Sequence, residues 1–291
     1  MAFTTRRAAL TTFGAALAGT LAAPTAFAQS SGQGPGHGHG PRPLRRAHAH
    51  NDYEHTRPLF DALDHRFGSV EADIWLVDGE LLVAHDAVDL DPARTLESLY
   101  LDPLAARIRA HHGSVYRGSR TPLQLLIDIK TEGASTYREL DRRLRPYRHI
   151  LTGYVNSRVR QGAVTAVISG DRAARAPMEA QRTRYAFYDG RLADLGTAAP
   201  ASFVSLISDN WGNNFTWQGT GPFPAAERAK LHGIVSDAHR RGQQVRFWAT
   251  PDLAGPARDA LWSELLAADV DFLNTDDLAG LEAFLDTHDK R

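Results

Sequence analysis

The sequence predicts an α/β protein built as a single (β/α)8 TIM barrel, on three observations. From Leu44 onward, short apolar runs alternate with stretches whose apolar residues fall at helix spacing, and eight such units follow one another. Several runs are apolar almost throughout, as in Leu123-Gln-Leu-Leu-Ile, which is how strands read when both faces are covered. Taking residues 1–28 from the 291 leaves 263, close to the roughly 250 of one such barrel.

Residues 1–28 are set aside because they read as an export signal. Arg6 and Arg7 precede a small-residue apolar run, and Ala26-Phe27-Ala28 fits a cleavage site. The paired arginines suggest the twin-arginine route, so a periplasmic or extracellular location is expected. Gly14, Gly19 and Pro24 interrupt the run, which argues for a cleaved signal over a membrane anchor. No later stretch is long and apolar enough to span a bilayer. Residues 29–43 are rich in Gly, Pro and His and read as a linker, and 44–291 as the barrel domain. The 33 basic and 34 acidic residues nearly cancel, so nucleic acid is not an expected partner. With no cysteine, the chain has neither disulfides nor thiolate chemistry.

The elements follow in order. Strands are expected at 45–51, 70–76, 123–130, 163–169, 185–188, 203–208, 244–250 and 271–274. Helices are expected at 58–67, stopped by Gly68, and at 95–110, 136–151, 224–241, 257–268 and 278–287. Between 153 and 201 the helical patterning is weak, leaving room for one irregular βα unit. Asp78-Gly79 marks a tight turn, after which Leu81-Leu-Val-Ala carries His85 back towards the end of the second strand.

In such a barrel, chemistry collects where strands end and βα loops begin. Glu71 and Asp73 stand two apart in the second strand and so face the same side. Two like charges placed together require a cation, a shared proton or arginine partners. Asp128 and Lys130 end the third strand, and His50-Asn51 follows the first. Glu71, Asp73, Asp128 and the Asn51 carbonyl make an all-oxygen set suited to Mg²⁺ or Ca²⁺ more than zinc. His50 and His85 are the candidate acid and base, and Trp248 is a candidate pocket wall.

His50-Asn-Asp-Tyr53, Glu71-Ala-Asp73 with Asp78-Gly79 and His85-Asp86, and Ile127-Asp-Ile-Lys130 together resemble the superfamily of phosphatidylinositol phospholipase C and glycerophosphodiester phosphodiesterases. Ser69-Val-Glu-Ala-Asp-Ile-Trp-Leu and Leu96-Glu-Ser-Leu-Tyr-Leu-Asp-Pro-Leu resemble its altered-inheritance-of-mitochondria branch. The resemblance implies a barrel phosphoric diester hydrolase; with the export signal at 1–28, an exported enzyme acting on a substrate of the glycerophosphodiester or phospholipid class is expected. Glu71, Asp73 and Asp128 would hold one divalent ion, with Asn51 as a candidate fourth ligand. His50 and His85 would form the catalytic pair, and Lys130 would hold a phosphate oxygen. The chain departs from the glycerophosphodiesterases by reading His50-Asn-Asp where they commonly read His-Arg-Gly.

Two other functions fit parts of the pattern. His48-Ala-His50 also suggests an amidohydrolase-type metal site, but that chemistry wants further histidines at later strand ends, and none stands there. The third is a barrel that binds a phosphorylated or glycan ligand without turning it over.

Overall fold

The computed structural model describes residues 42–289, so the export signal and all of the linker except its last two residues lie outside the described residues. The strands are β1 (Leu44–Ala49), β2 (Phe67–Val77), β3 (Glu80–Val83), β4 (Leu123–Ile129), β5 (Gly153–Val155), β6 (Arg158–Arg160), β7 (Val164–Gly170), β8 (Phe187–Gly190), β9 (Val204–Asn210), β10 (Gln244–Trp248) and β11 (Leu273–Thr275). Ladder pairing runs in the order β10, β9, β8, β7, β4, β2, β1, β11. Every neighbouring pair on that path is parallel. A single parallel bridge, Arg246 to Phe272, joins the two ends. The result is a nearly closed barrel of eight parallel strands with one thin seam, consistent with the TIM barrel read from the sequence.

The helices are α1 (Phe60–Asp64), α2 (Asp102–Ala110), α3 (Gly133–Leu144), α4 (Arg175–Glu179), α5 (Trp211–Asn214), α6 (Ala225–Arg240), α7 (Pro256–Ala267) and α8 (Leu278–His288). Only a 3-10 turn, Leu192–Asp194, follows β8 before β9 begins. The irregular unit therefore falls inside the weakly patterned span. In the same span β5 and β6 form an unexpected hairpin, turned by Asn156 and Ser157 at φ +52° and +60°. Asn-Ser supplies the two left-handed residues without the usual glycine, so the turn signal was easily missed. The helix expected at 58–67 shrinks to α1, because Leu59 stands at φ +66° just before it. α3 starts earlier than expected: the Glu132 carboxylate accepts from the Ala134 and Ser135 amides and caps its first turn.

Apolar burial falls into two parts. The larger lies between strands and helices, and contains Val70, Ala72, Ile74, Leu125, Ile127 and Ile168. The smaller consists of Leu126, Val167, Phe187, Leu206 and Phe272. Side chains alternate faces along a strand, so residues at the opposite parity point inwards, and this second cluster is the barrel's floor. Further along the same strands the inward positions turn polar: Asp73 and Asp128 sit in register, and Asp128 with Ser169. The strand parity that makes a dry floor thus also makes a polar mouth above it.

Gly170 ends β7 at φ +80°, where a Cβ would lie 2.3 Å from the Ile129 carbonyl oxygen and 2.8 Å from Asp128 Oδ1. Backbone cannot yield as a side chain can, so Gly170→Ala is expected to destabilise the fold by about 1–3 kcal/mol. A denaturant midpoint unchanged from wild type would show that β4 and β7 are not as closely apposed as described.

Candidate active site

The first loop of the mouth is built by four consecutive residues. Asn51 takes a left-handed backbone, φ +47°, which turns the chain out of β1. Asp52 points inwards and is fully buried; its Oδ2 accepts from the Leu59 amide at 2.6 Å and the Tyr100 hydroxyl at 2.9 Å. Burial raises this carboxyl to about 7, against those two hydrogen bonds. The loop is thereby tied to the segment 96–104, which gives that run a physical role behind the site.

Tyr53 then reaches across the mouth. Its hydroxyl lies 2.6 Å from Asp73 Oδ2, 2.8 Å from Asn51 Oδ1 and 3.0 Å from His85 Nδ1. Burial, followed by the Asp73 charge, pushes the phenol well above its ordinary range. It therefore keeps its proton and donates it to Asp73. His50 closes the loop's other side, its Nδ1 2.9 Å from Asp276 Oδ1. Burial alone would lower this imidazole, but the Asp276 hydrogen bond and the charges of Glu71 and Asp276 together hold it above its ordinary value.

His85 arrives on the hairpin. Asp78 and Gly79, at φ +50° and +83°, join Val77 to its partner Glu80 in the I′ turn that this dipeptide favours. The Trp75 indole donates to the Ala84 carbonyl at 2.9 Å and pins the residue before His85.

The three acids occupy the two neighbouring strands β2 and β4, Asp73 directly opposite Asp128 and Glu71 one inward position below, opposite Leu126. Asp73 is buried and its pKa is raised to about 6, by burial first and then by the charge of Glu71. Asp128 is also raised, chiefly by burial. Lys130 Nζ stands between them, 2.9 Å from Asp73 Oδ2 and 3.1 Å from Asp128 Oδ1. Lys130 is thus committed to the two carboxylates rather than standing free for a phosphate oxygen. Trp248 is half-buried at the end of β10, paired in register with Asn210.

Glu71 is held differently. Its Oε2 accepts from Arg246 Nη2 at 2.7 Å and from His48 Nε2 at 3.0 Å. Burial would raise the carboxyl, but Arg246 and the His48 bond outweigh it and hold it well below the usual range. His48 is lowered to about 3 by burial and then by Arg246, so it is neutral and donates through Nε2. Its Nδ1 accepts from Ser69 Oγ at 2.7 Å, and Ser69 in turn accepts from Gln124 Nε2 at 2.9 Å. His48 is therefore a member of the interior network and not a ligand at the rim. That removes one of the two histidines on which an amidohydrolase site would depend.

The fit of this site to a divalent ion can be judged from its oxygens. The contacts above engage only Oε2 of Glu71, Oδ2 of Asp73 and Oδ1 of Asp128. Asp73 Oδ1 is buried with no hydrogen-bond partner, an expensive arrangement unless a cation completes it. The donor set is hard and all-oxygen, as Mg²⁺ or Ca²⁺ requires. Among the described residues, no three His, Asp or Glu side chains are drawn closely enough together to hold an ion as they stand. The residues fit a metal in kind, with Lys130 in the position it would contest.

Sequence reasoning left Arg246, Asp276, Asp189 and Arg191 without roles. Arg246 had a signal: an arginine at an inward parity in the buried Gln244–Trp248 strand needs a buried acid, and Glu71 needs a cation. Asp276 had none beyond its place after the eighth strand. Asp209 serves the loop, its Oδ2 accepting from the Leu192 amide. Trp211 is fully buried and stacked on Phe215 at 4.1 Å, a core residue and not a rim one.

Carboxylates, two imidazoles and a lysine lie at the C-terminal mouth of a parallel barrel, where barrel enzymes carry their chemistry. Comparison with known proteins gives the class, a phosphodiesterase-family domain. The AIM6-like phosphodiesterase domain family matches residues 42–189, and the glycerophosphoryl diester phosphodiesterase family matches 244–279. The chain is 31% identical over 270 residues to altered inheritance of mitochondria protein 6 of Eremothecium gossypii, covering 83% of this chain and 69% of that protein. It is 30% identical over 277 residues to the protein of the same name from Lachancea thermotolerans, covering 80% of this chain and 64% of that one. The Arthroderma benhamiae homolog is 27% identical over 265 residues, covering 81% and 82%. This chain belongs to the AIM6-like phosphodiesterase family.

Proposed function

We propose that the protein is an exported, metal-dependent phosphodiesterase that cleaves a glycerophosphodiester or phospholipid-class substrate by two-histidine acid/base catalysis. The observation that carries this reading is the Tyr53 hydroxyl, which touches Asn51, Asp73 and His85 at once and ties the candidate metal ligands to a candidate catalytic histidine. Glu71, Asp73 and Asp128, with Asn51, would hold one Mg²⁺ or Ca²⁺. Bound there, such an ion supplies positive charge to offset the phosphoryl oxygens. Lys130, beside Asp73 and Asp128, would hold a phosphate oxygen with its ammonium.

The histidines do the proton work. His50 is engaged through Nδ1 alone, and Asp276 stabilises the imidazolium when Nε2 takes a proton. His85 is likewise engaged through Nδ1, against Tyr53 and Asp73, and half its side chain is exposed. One imidazole withdraws the proton of the attacking hydroxyl, and the other returns a proton to the departing alkoxide. In this proposal residues 1–28 direct export and are removed before the enzyme works.

The test is turnover of bis(p-nitrophenyl) phosphate and a phospholipid and lysophospholipid panel, before and after EDTA. Turnover is expected to vanish on chelation and return with Mg²⁺ or Ca²⁺. Turnover that survives EDTA would remove the metal from the reading. Ligand binding without turnover, in a folded protein supplied with metal, would favour the non-catalytic barrel.

A further inference from the structure

Three basic side chains lie at inward parity near the mouth, and two are already used. Arg246 is 3% exposed and gives Nη2 to Glu71 and Asn274 and Nε to Asn274. Lys130 bridges Asp73 and Asp128. The third is Arg191, just beyond the end of β8, two residues after Asp189 and so on the same face.

Arg191 is anchored at one end only. Its Nη1 donates to Asp189 Oδ2 at 2.7 Å and Ser208 Oγ at 3.2 Å. Asp189 is fully buried, and the same Oδ2 accepts from Ser169 at 2.9 Å and Ser208 at 2.7 Å. The Arg172 guanidinium donates to the Asp189 carbonyl at 2.7 Å and steadies the strand end. Arg191's own amide donates to Asp194 Oδ2 at 2.9 Å, which fixes the backbone as well. Among the described residues these contacts leave Nε and Nη2 of Arg191 without a hydrogen-bond partner, on a side chain 28% exposed. Arg191 is also near enough to Asp128 for their charges to interact. A carboxylate buried without exposure is costly, and what this one does is hold a guanidinium still with its forked edge unspent.

We propose that Arg191, held at the end of β8, is the residue that grips the phosphoryl oxygens of the substrate. Nε and Nη2 form the planar fork that matches two oxygens of a phosphate, and pre-anchoring lowers the entropy lost on binding. This role rests on the phosphodiesterase reading for its substrate, but the anion site itself can be measured without turnover.

The experiment is calorimetric titration of the full chain with orthophosphate, for wild type, Arg191→Met and Arg191→Lys, alongside diester kinetics and thermal melts. Arg191→Met is expected to weaken orthophosphate by roughly 10- to 100-fold and to raise KM for bis(p-nitrophenyl) phosphate by a similar factor, with a smaller fall in kcat. Arg191→Lys keeps the charge without the fork and should recover only part of the affinity; it also serves where the methionine variant does not fold. Phosphate affinity equal to wild type in either folded variant overturns the proposal, as does a wild type with no measurable phosphate affinity. A wild type that hydrolyses no diester, yet loses phosphate affinity on Arg191→Met, supports the anion site while the phosphodiesterase reading fails.

Discussion

His50→Ala is expected to lower turnover by about 10²- to 10⁴-fold while the melting temperature stays close to that of wild type. Both halves of this expectation come from the same geometry. The imidazole is half-buried and its partners, Asp276 and Asn51, are at the exposed rim, so its loss leaves no deeply buried polar group unpaired. The chemistry loses a proton carrier while the fold loses almost nothing. Steady-state kinetics beside a melting curve separates the two. A variant that turns over within threefold of wild type would remove His50 from the catalytic pair.

Arg246→Met should do the reverse. The ion pair with Glu71 has both side chains under a tenth exposed, 4% and 8%. Breaking a buried pair from one side leaves an uncompensated charge, which costs about 3–5 kcal/mol. For a chain of this size that is a drop of roughly 6–20 °C in melting temperature. Water cannot easily reach Glu71 to replace the guanidinium, and His48 is neutral, so no second charge covers the loss. The double variant Glu71→Gln with Arg246→Met should recover part of the stability, because the orphaned charge is gone. A single variant melting within 2 °C of wild type would show that Glu71 finds other compensation, a bound cation being the first to look for.

Much of this was legible in the sequence, for reasons that differ by residue. The barrel was readable because parallel strands covered on both faces are written as runs apolar almost throughout, as at Leu123–Ile129. Glu71 and Asp73 were readable because parity alone puts residues two apart on one side. Asp78-Gly79 was readable because the dipeptide is specific for its turn. Lys130 was readable as the residue at the end of its strand, but its engagement with Asp73 and Asp128 depends on distances that no spacing rule supplies. Arg191 and Asp189 were beyond reach for another reason. Asp189 lies in a four-residue strand and Arg191 just beyond it, in the least regular unit of the barrel, and their partners Ser169 and Ser208 come from strands on either side. Contacts that assemble across neighbouring strands leave no local trace in a single chain.

One consequence belongs to the hairpin that carries His85. His50, Glu71, Asp73 and Asp128 are on or directly after barrel strands, so moving any one of them disturbs the frame. His85 rides on an antiparallel arm whose reach is set by an I′ turn at one end and one indole hydrogen bond at the other. Its Leu81 and Val83 are fully buried and laddered to β2, so one residue gained or lost along the arm would turn them out of the core. The place of His85 is therefore set by the register of the hairpin, and that of the other four residues by the register of the barrel.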